Sequence, residues 1–269
     1  MLGSVFMHRL AHKNLLPIDL PEIDITNRRL LLDTLKRFHP QIIIHCAAYN
    51  AVDQAETEPE LAFKVNALAA GWIAQFAAET NIPLVFYSTD YVFCNSPGRI
   101  PRTEFTPPAP YGVYSLSKFA GEEQIRRLHP QHYILRTSWL YGPNGKNFVN
   151  TIIKAAKEKS FLRIVSDQIG TPTHTFDLFE NTVKIIEYGA YGLYHISGNG
   201  QCSWYQFAGK ILQTAGIDTP IYPVSTIEYG AAAPRPAYSV LDHLALRNTI
   251  GDNIPSWQET LKKQFHTIL

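Results

Sequence analysis

The feature that most constrains this chain is an alternation of two patterns. Short apolar runs, QIIIHCAA (41–48), PLVFYS (83–88) and HYILRTS (132–138), recur between longer segments whose apolar residues return every three or four positions. Runs that are apolar at nearly every position predict strands buried on both faces, the habit of parallel sheets. The longer segments predict helices. DITNRRLLLDTLKRFHP (24–40) has Thr26 as its cap and Leu31, Leu32, Leu35 and Phe38 on one side. EPELAFKVNALAAGWIAQFAAET (58–80) has Leu61, Val65, Leu68, Trp72, Ile73 and Phe76 on its buried side. PYGVYSLSKFAGEEQIRRL (110–128) is supported by Glu122–Arg126 and Glu123–Arg127 pairs. Strand, helix and strand in one sheet imply right-handed crossovers. The fold class is therefore α/β, a Rossmann-like doubly wound parallel sheet.

After residue 145 the rhythm loosens. Helices are predicted at NFVNTIIKAAKEK (147–159), WYQFAGKILQTAG (204–216) and SWQETLKKQFHTI (256–268), the last with Ser256 and Glu259 in capping-box spacing. LRIVSD (162–167) reads as a short strand, GLYHIS as a return to the main sheet near 191–197, and AAAPRPAYS (231–239) as a loop. The organisation expected is a dinucleotide-binding core over 1–145 and a smaller interleaved substrate lobe over 146–269.

The totals exclude several classes. A net charge of +1 gives no electrostatic case for nucleic acid or a membrane surface. No apolar run nears the roughly 18 residues of a membrane span, and no secretory pattern opens the chain. Cys46, Cys94 and Cys202 are too far apart for a CxxC metal site and odd in number, so a reduced, cytoplasmic protein without a metal is expected. No GxSxG elbow or HExxH spacing supports a hydrolase.

Chemistry gathers where strands end, because ligands of doubly wound sheets sit beyond the carboxyl ends of the strands. In Tyr114-Ser115-Leu116-Ser117-Lys118 the tyrosine and lysine are four apart and share a helix face. A neighbouring ammonium lowers a tyrosine pKa and fits it for proton transfer to an alcohol or carbonyl oxygen. The bland alternative is a surface tyrosine beside a solvated lysine. Thr89 ends the strand before that helix, where its hydroxyl can meet a carbonyl as negative charge develops; a turn-capping role is the alternative. Asn66 sits polar in an apolar helix, where the bland reading is an amide facing solvent or a backbone group.

HCAAYNAVDQAETEP, VNA, YSTDYVF, YGVYSLSKFAGE, LRTSWLYGPNGKNFV, DQIGTPT, GLYHIS, WYQFA and PRPAYSVL occur in order along nearly the whole chain. In this the sequence resembles the extended short-chain dehydrogenases/reductases and, more narrowly, the dTDP-4-dehydrorhamnose reductases. The resemblance implies NAD(P)H-dependent reduction of a dTDP-linked 4-keto-6-deoxy sugar, with NADPH or NADH as cofactor and room for a homodimer. It implies that Tyr114 donates the proton, Lys118 tunes it and holds a ribose, Thr89 meets the carbonyl, and Asn66 supports this site. It places Asp24 and Ile25 near the adenine, and Ala47, Ala48 and Tyr49 along the cofactor cleft. Asn50, Val52, Thr89, Asp90, Tyr91 and Trp139 would face the substrate, with Arg235 a candidate for its phosphates. IDLPEID (18–24) has no basic residue to clasp a 2′-phosphate, which leans toward NADH or use of both. Thr89 is followed by Asp90 and Tyr91 where sugar-nucleotide dehydratases carry an Asp-Glu pair, so reduction rather than elimination is expected. A reductase of another nucleotide-linked keto sugar remains an alternative.

The opening stretch departs from that pattern. The family begins with a strand, a GxxGxxG loop and a helix. Here MLGSVFMHRLAHKN (1–14) reads directly as a helix, with Leu2 and Gly3 matching only the end of the loop, and NLLPIDL (14–20) as a short strand. The first strand and two glycines are expected to be missing. Either the start lies at an internal methionine of a frame about ten residues longer, or the chain is a non-catalytic relative resembling the regulatory subunit of methionine adenosyltransferase. The intact Thr89, Tyr114 and Lys118 favour the first.

Overall fold

A computed structural model describes residues 1–268. At its centre four parallel strands, Ile43–His45, Leu84–Thr89, His132–Thr137 and Gly192–His195, lie side by side in chain order. Ile44 sits opposite Val85, Val85 opposite Tyr133, and Leu135 opposite Tyr194. Side chains alternate across a strand, so each strand serves two layers. Val85, Tyr87, Tyr133 and Leu135 meet Leu2, Phe6, Leu178 and Ile185 of the Leu2–Arg9 and Thr175–Tyr188 helices. Leu84, Phe86 and Ile134 meet Leu31, Leu35, Ile73, Phe76 and Ile125 of the Arg28–Phe38, Ala69–Thr80 and Val113–Leu128 helices. The sheet is therefore wound on both faces.

The Thr175–Tyr188 helix has no counterpart in the sequence reading. Its signals were present: His174 accepts from Phe176 N at the start, and Gly189 ends it at φ 81°. Other expectations need correction. NLLPIDL forms no strand; residues 14–19 are irregular, because no described strand offers them a ladder. For the same reason Ile43–His45 is an edge strand among the described residues, and Ile43 and Ile44 are half-buried rather than covered on both faces. Asn27, not Thr26, caps the second helix, accepting from Leu30 N at 3.1 Å. Glu123 pairs with Arg126, while Arg127 bonds to Gln124.

The helical stretch 59–80 contains a π-helical turn, Lys64–Leu68. The extra residue rotates the downstream face by about 100°. Leu68 is exposed, as is Leu61 before the turn, and beside Ile73 and Phe76 the buried face is mostly small: Ala62, Ala67, Ala69, Ala70, Gly71, Ala74 and Ala77. Against expectation, Pro59–Thr80 is long and apolar enough for a membrane span by length and composition; 56% of its apolar window is buried inside the protein. The small face lets the Val113–Leu128 helix approach closely, for a Cβ on Gly121 would overlap the Asn66 carbonyl oxygen. Gly121→Ala is therefore expected to lower stability by about 1–3 kcal/mol through forced separation of the two helices. Urea unfolding checks this, and an unchanged midpoint would contradict it.

Beyond residue 145 the strands Leu162–Val165 and Ile221–Val224 pair in parallel. The helices Phe148–Glu158, Trp204–Ala215 and Trp257–Ile268 enclose Val149, Ile152, Phe207, Ile211, Trp257 and Leu261. Ser256 Oγ donates to Glu259 Oε2 at 2.7 Å and accepts from Glu259 N at 3.3 Å, closing the expected capping box.

Candidate active site

The Val113–Leu128 helix starts after Gly112, whose φ of 88° suits glycine and whose Cβ, if present, would lie 2.6 Å from Pro234. Glu56 accepts from Val113 N at 2.8 Å, satisfying a first-turn donor. Tyr114 follows, and Lys118 lies one turn on; both are buried. Lys118 Nζ donates to the Tyr87 carbonyl at 2.6 Å and lies 4.2 Å from the Phe86 ring centre. Burial lowers Lys118 to about 8, against the charge of Glu122. Burial raises the Tyr114 phenol to about 12, with the Thr89 hydroxyl opposing. The expected lowering of Tyr114 by Lys118 does not occur, because the ammonium is drawn to a strand carbonyl and desolvation governs the phenol.

Thr89 ends the Leu84–Thr89 strand. Its Oγ1 accepts from Tyr91 N and donates to Asp90 Oδ1, each at 3.2 Å, so it also caps the turn Asp90–Phe93. Asp90 is buried, and Ser239 donates to its other oxygen at 2.5 Å. Burial raises Asp90 to about 7 despite those bonds. A carboxyl raised above its unfolded value destabilises progressively as pH climbs from about 4 toward 7, since the folded chain then holds the extra proton. Asp90→Asn is expected to remove that contribution, so urea midpoints of parent and variant should diverge between pH 5 and pH 8, the parent falling further. Parallel profiles would contradict the assignment.

Tyr49, Val52 and Tyr91 pack around Tyr114, Tyr91 edge-on at 5.4 Å. Asn66, in the π turn, joins these elements. Its Oδ1 accepts from Tyr49 N at 2.8 Å, and its Nδ2 donates to Tyr49 O and to Ser117 Oγ. It thus satisfies a backbone group and braces the site at once. Ala47 and Ala48 are half-buried on the way to Tyr49, and Asn50 is exposed.

The remaining candidates are not drawn into this group. Leu2 is buried in the apolar layer and Gly3 lies near Cys46. Asp24 is exposed and accepts from Thr26 N at 2.8 Å, while Ile25 is a core residue. Trp139, at φ 44°, stacks on Trp204 with centroids 3.5 Å apart, and its ring leaves no room for a Cβ on Gly170. Arg235, expected to reach a phosphate, is already paired: its terminal nitrogens donate to both Asp53 oxygens at 3.0 and 2.7 Å. That clasp pins the proline loop to the Val52–Ala55 turn. Asp53, Glu56 and Ser239 were not singled out in the sequence, because their partners lie far along the chain.

Ser197, His243 and Asp252 form a relay, Oγ to Nε2 at 2.8 Å and Nδ1 to Oδ2 at 3.0 Å. Ser197 is wholly buried, so the arrangement clamps the return strand to the carboxyl-terminal loops rather than presenting a nucleophile.

The site fits the nicotinamide end of a dinucleotide. Among the described residues the Lys118 ammonium makes one hydrogen bond, to the Tyr87 carbonyl, which leaves donors of Lys118 and Tyr114 for a ribose and a carbonyl. Among the described residues no side chain caps the Leu2–Arg9 helix, whose first-turn N–H groups suit a phosphate.

A doubly wound parallel sheet with a threonine at one strand end and Tyr-xxx-Lys on the adjoining helix defines the short-chain dehydrogenase/reductase class. Comparison with known proteins narrows this. The family described as the RmlD substrate binding domain matches residues 1–269. The chain is 42% identical over 241 residues to the spore coat polysaccharide biosynthesis protein SpsK of Bacillus subtilis, covering 90% of this chain and 84% of that protein. It is 36% identical over 260 residues to the dTDP-4-dehydrorhamnose reductase of Aggregatibacter actinomycetemcomitans, covering 92% and 88%. The crystal structure of dTDP-4-dehydrorhamnose reductase from Bacillus anthracis in complex with NADP superposes with a TM-score of 0.94 at 42% identity, covering 98% and 95%. The chain belongs to the dTDP-4-dehydrorhamnose reductase family.

Proposed function

We propose that this protein reduces the 4-keto group of dTDP-4-dehydro-L-rhamnose to give dTDP-L-rhamnose, using NADPH or NADH, in the cytoplasmic synthesis of nucleotide sugars for surface polysaccharide. The gathering of Thr89, Tyr114 and Lys118 at the carboxyl end of one strand carries the reading. A bound reduced nicotinamide supplies the hydride. The chain's own residues handle the oxygen. With its phenol at about 12, Tyr114 stays protonated near neutrality and gives that proton to the developing alkoxide. The Thr89 hydroxyl, turning from Asp90, donates a hydrogen bond to the same oxygen, and the Lys118 ammonium holds ribose hydroxyls. Tyr49, Val52 and Tyr91 form the apolar wall that excludes water from the transfer.

The test is a fluorescence titration of the 269-residue chain with NADPH and NADH, followed by oxidation of the bound form on the keto sugar nucleotide. Micromolar binding and turnover support the reading. Failure of both cofactors to bind overturns it in favour of a non-catalytic partner-binding role. Binding with turnover only on another nucleotide-linked keto sugar would keep the chemistry and correct the substrate.

A further inference from the structure

One strand end and one helix face meet residue by residue. Tyr87 offers its carbonyl to Lys118, Ser88 donates its hydroxyl to Glu122 at 2.5 Å, and Thr89 lies beside Tyr114. Residues 114, 118 and 122 are spaced by four and share a helix face. The middle contact is the best anchored. The Glu122 carboxylate has no exposure and accepts from Ser88, from Arg136 Nε and Nη2 at 2.8 and 2.7 Å, and from Arg126 at 2.9 Å. A charge so buried holds only with such partners, and its position is correspondingly fixed.

We propose that Glu122 is a positioning residue for the proposed reduction: through Ser88 it sets the register of Thr89 against Tyr114, and its negative charge keeps Lys118 an ammonium. The inference rests on the reductase reading for its kinetic part only. The titratable groups facing Lys118 are Glu122 on its own helix, His45 at the end of the Ile43–His45 strand and Cys46 just after it. Burial drives His45 down to about 3 and the Cys46 thiol up to about 12, so both are neutral between these limits. Glu122, with a charge shared by Arg136 and Arg126, is then the anion that favours the Lys118 cation.

The experiment uses the full chain and three variants. Lysine labelled with 13C at the ε-carbon reports each ammonium, and Lys118→Met assigns the Lys118 signal. Glu122→Gln is expected to move the Lys118 titration, near pH 8 in the parent, to lower pH. The alkaline limb of kcat/KM should move with it. Ser88→Ala leaves the carboxylate with both arginines and so keeps the fold, with a modest fall in Tm for the lost hydrogen bond; it is expected to lower kcat about tenfold with KM unchanged at a temperature where the variant is fully folded, because misplacement, not unfolding, is the lesion. An unmoved Lys118 titration in Glu122→Gln, or full kcat in Ser88→Ala, overturns the proposal. The NMR arm needs neither cofactor nor substrate, so an inactive parent would sink the reductase reading without deciding this one. The Ser88→Ala arm needs no folded Glu122→Gln.

Discussion

Tyr114→Phe is expected to reduce kcat/KM for the keto sugar by a factor of about 10²–10⁴, the usual span for losing a positioned proton donor. The effect should fall on kcat. Loss of the hydroxyl leaves no side chain unpaired in good hydrogen-bond geometry, and the edge-on packing with Tyr91 and the contacts with Ala55 and Ala62 remain. Unfolding midpoint and cofactor affinity should therefore stay near those of the parent. Burial holds the parent phenol at about 12, so across the neutral range the group is the acid form and no ionisation of Tyr114 should shape the rate below that value. A variant retaining parental turnover would remove Tyr114 from the chemistry. A variant that unfolds would instead show that the hydroxyl is structural.

The second large effect is expected at Arg136. Its side chain is almost fully buried, forks onto both Glu122 oxygens, approaches His195 Nε2 at 3.5 Å and lies over the Phe93 ring. Arg136→Met leaves a buried carboxylate with only Ser88 and Arg126, a loss of about 3–5 kcal/mol. That is a large share of the roughly 5–15 kcal/mol of a typical domain, and a fall in Tm of about 10 °C is expected. The sign with pH follows from Glu122. Burial alone would raise its carboxyl, but the Arg136 hydrogen bonds and charge outweigh it and hold it below the usual range. The stability this confers is present above the unfolded carboxyl pKa and disappears as pH falls through the folded one. The deficit of Arg136→Met should then be widest at neutral pH and narrow on acidification. A deficit independent of pH would show that lost packing, not the ion pair, is what Arg136 contributes.

Much of the fold was legible because it depends on local patterning. An apolar run such as PLVFYS reads as a strand covered twice, and VYSLSKFAGEEQIRRL has the period of a helix, so Leu84–Thr89 and Val113–Leu128 followed directly. Tyr114 and Lys118 were found by their spacing and Thr89 by its strand end. The errors share one cause. NLLPIDL had strand composition but found no neighbour to bond, and Leu68 had helical spacing with Leu61 and Trp72 but lies at the end of a π turn that breaks that spacing and leaves it exposed. Periodicity reports what a segment prefers, and whether a partner is present decides what it becomes.

By itself the sequence determined the α/β class, most of the strands and helices, and the face shared by Tyr114 and Lys118, because all three depend on spacing along one element. The tertiary structure alone decided the environments. It placed Lys118 against the Tyr87 carbonyl, paired Arg235 with Asp53 across 182 positions, joined Asp90 to Ser239 across 149, and closed Arg136 and Ser88 on Glu122. Those contacts set charge states through desolvation and distance, quantities that exist only once elements remote in sequence are brought within hydrogen-bond reach.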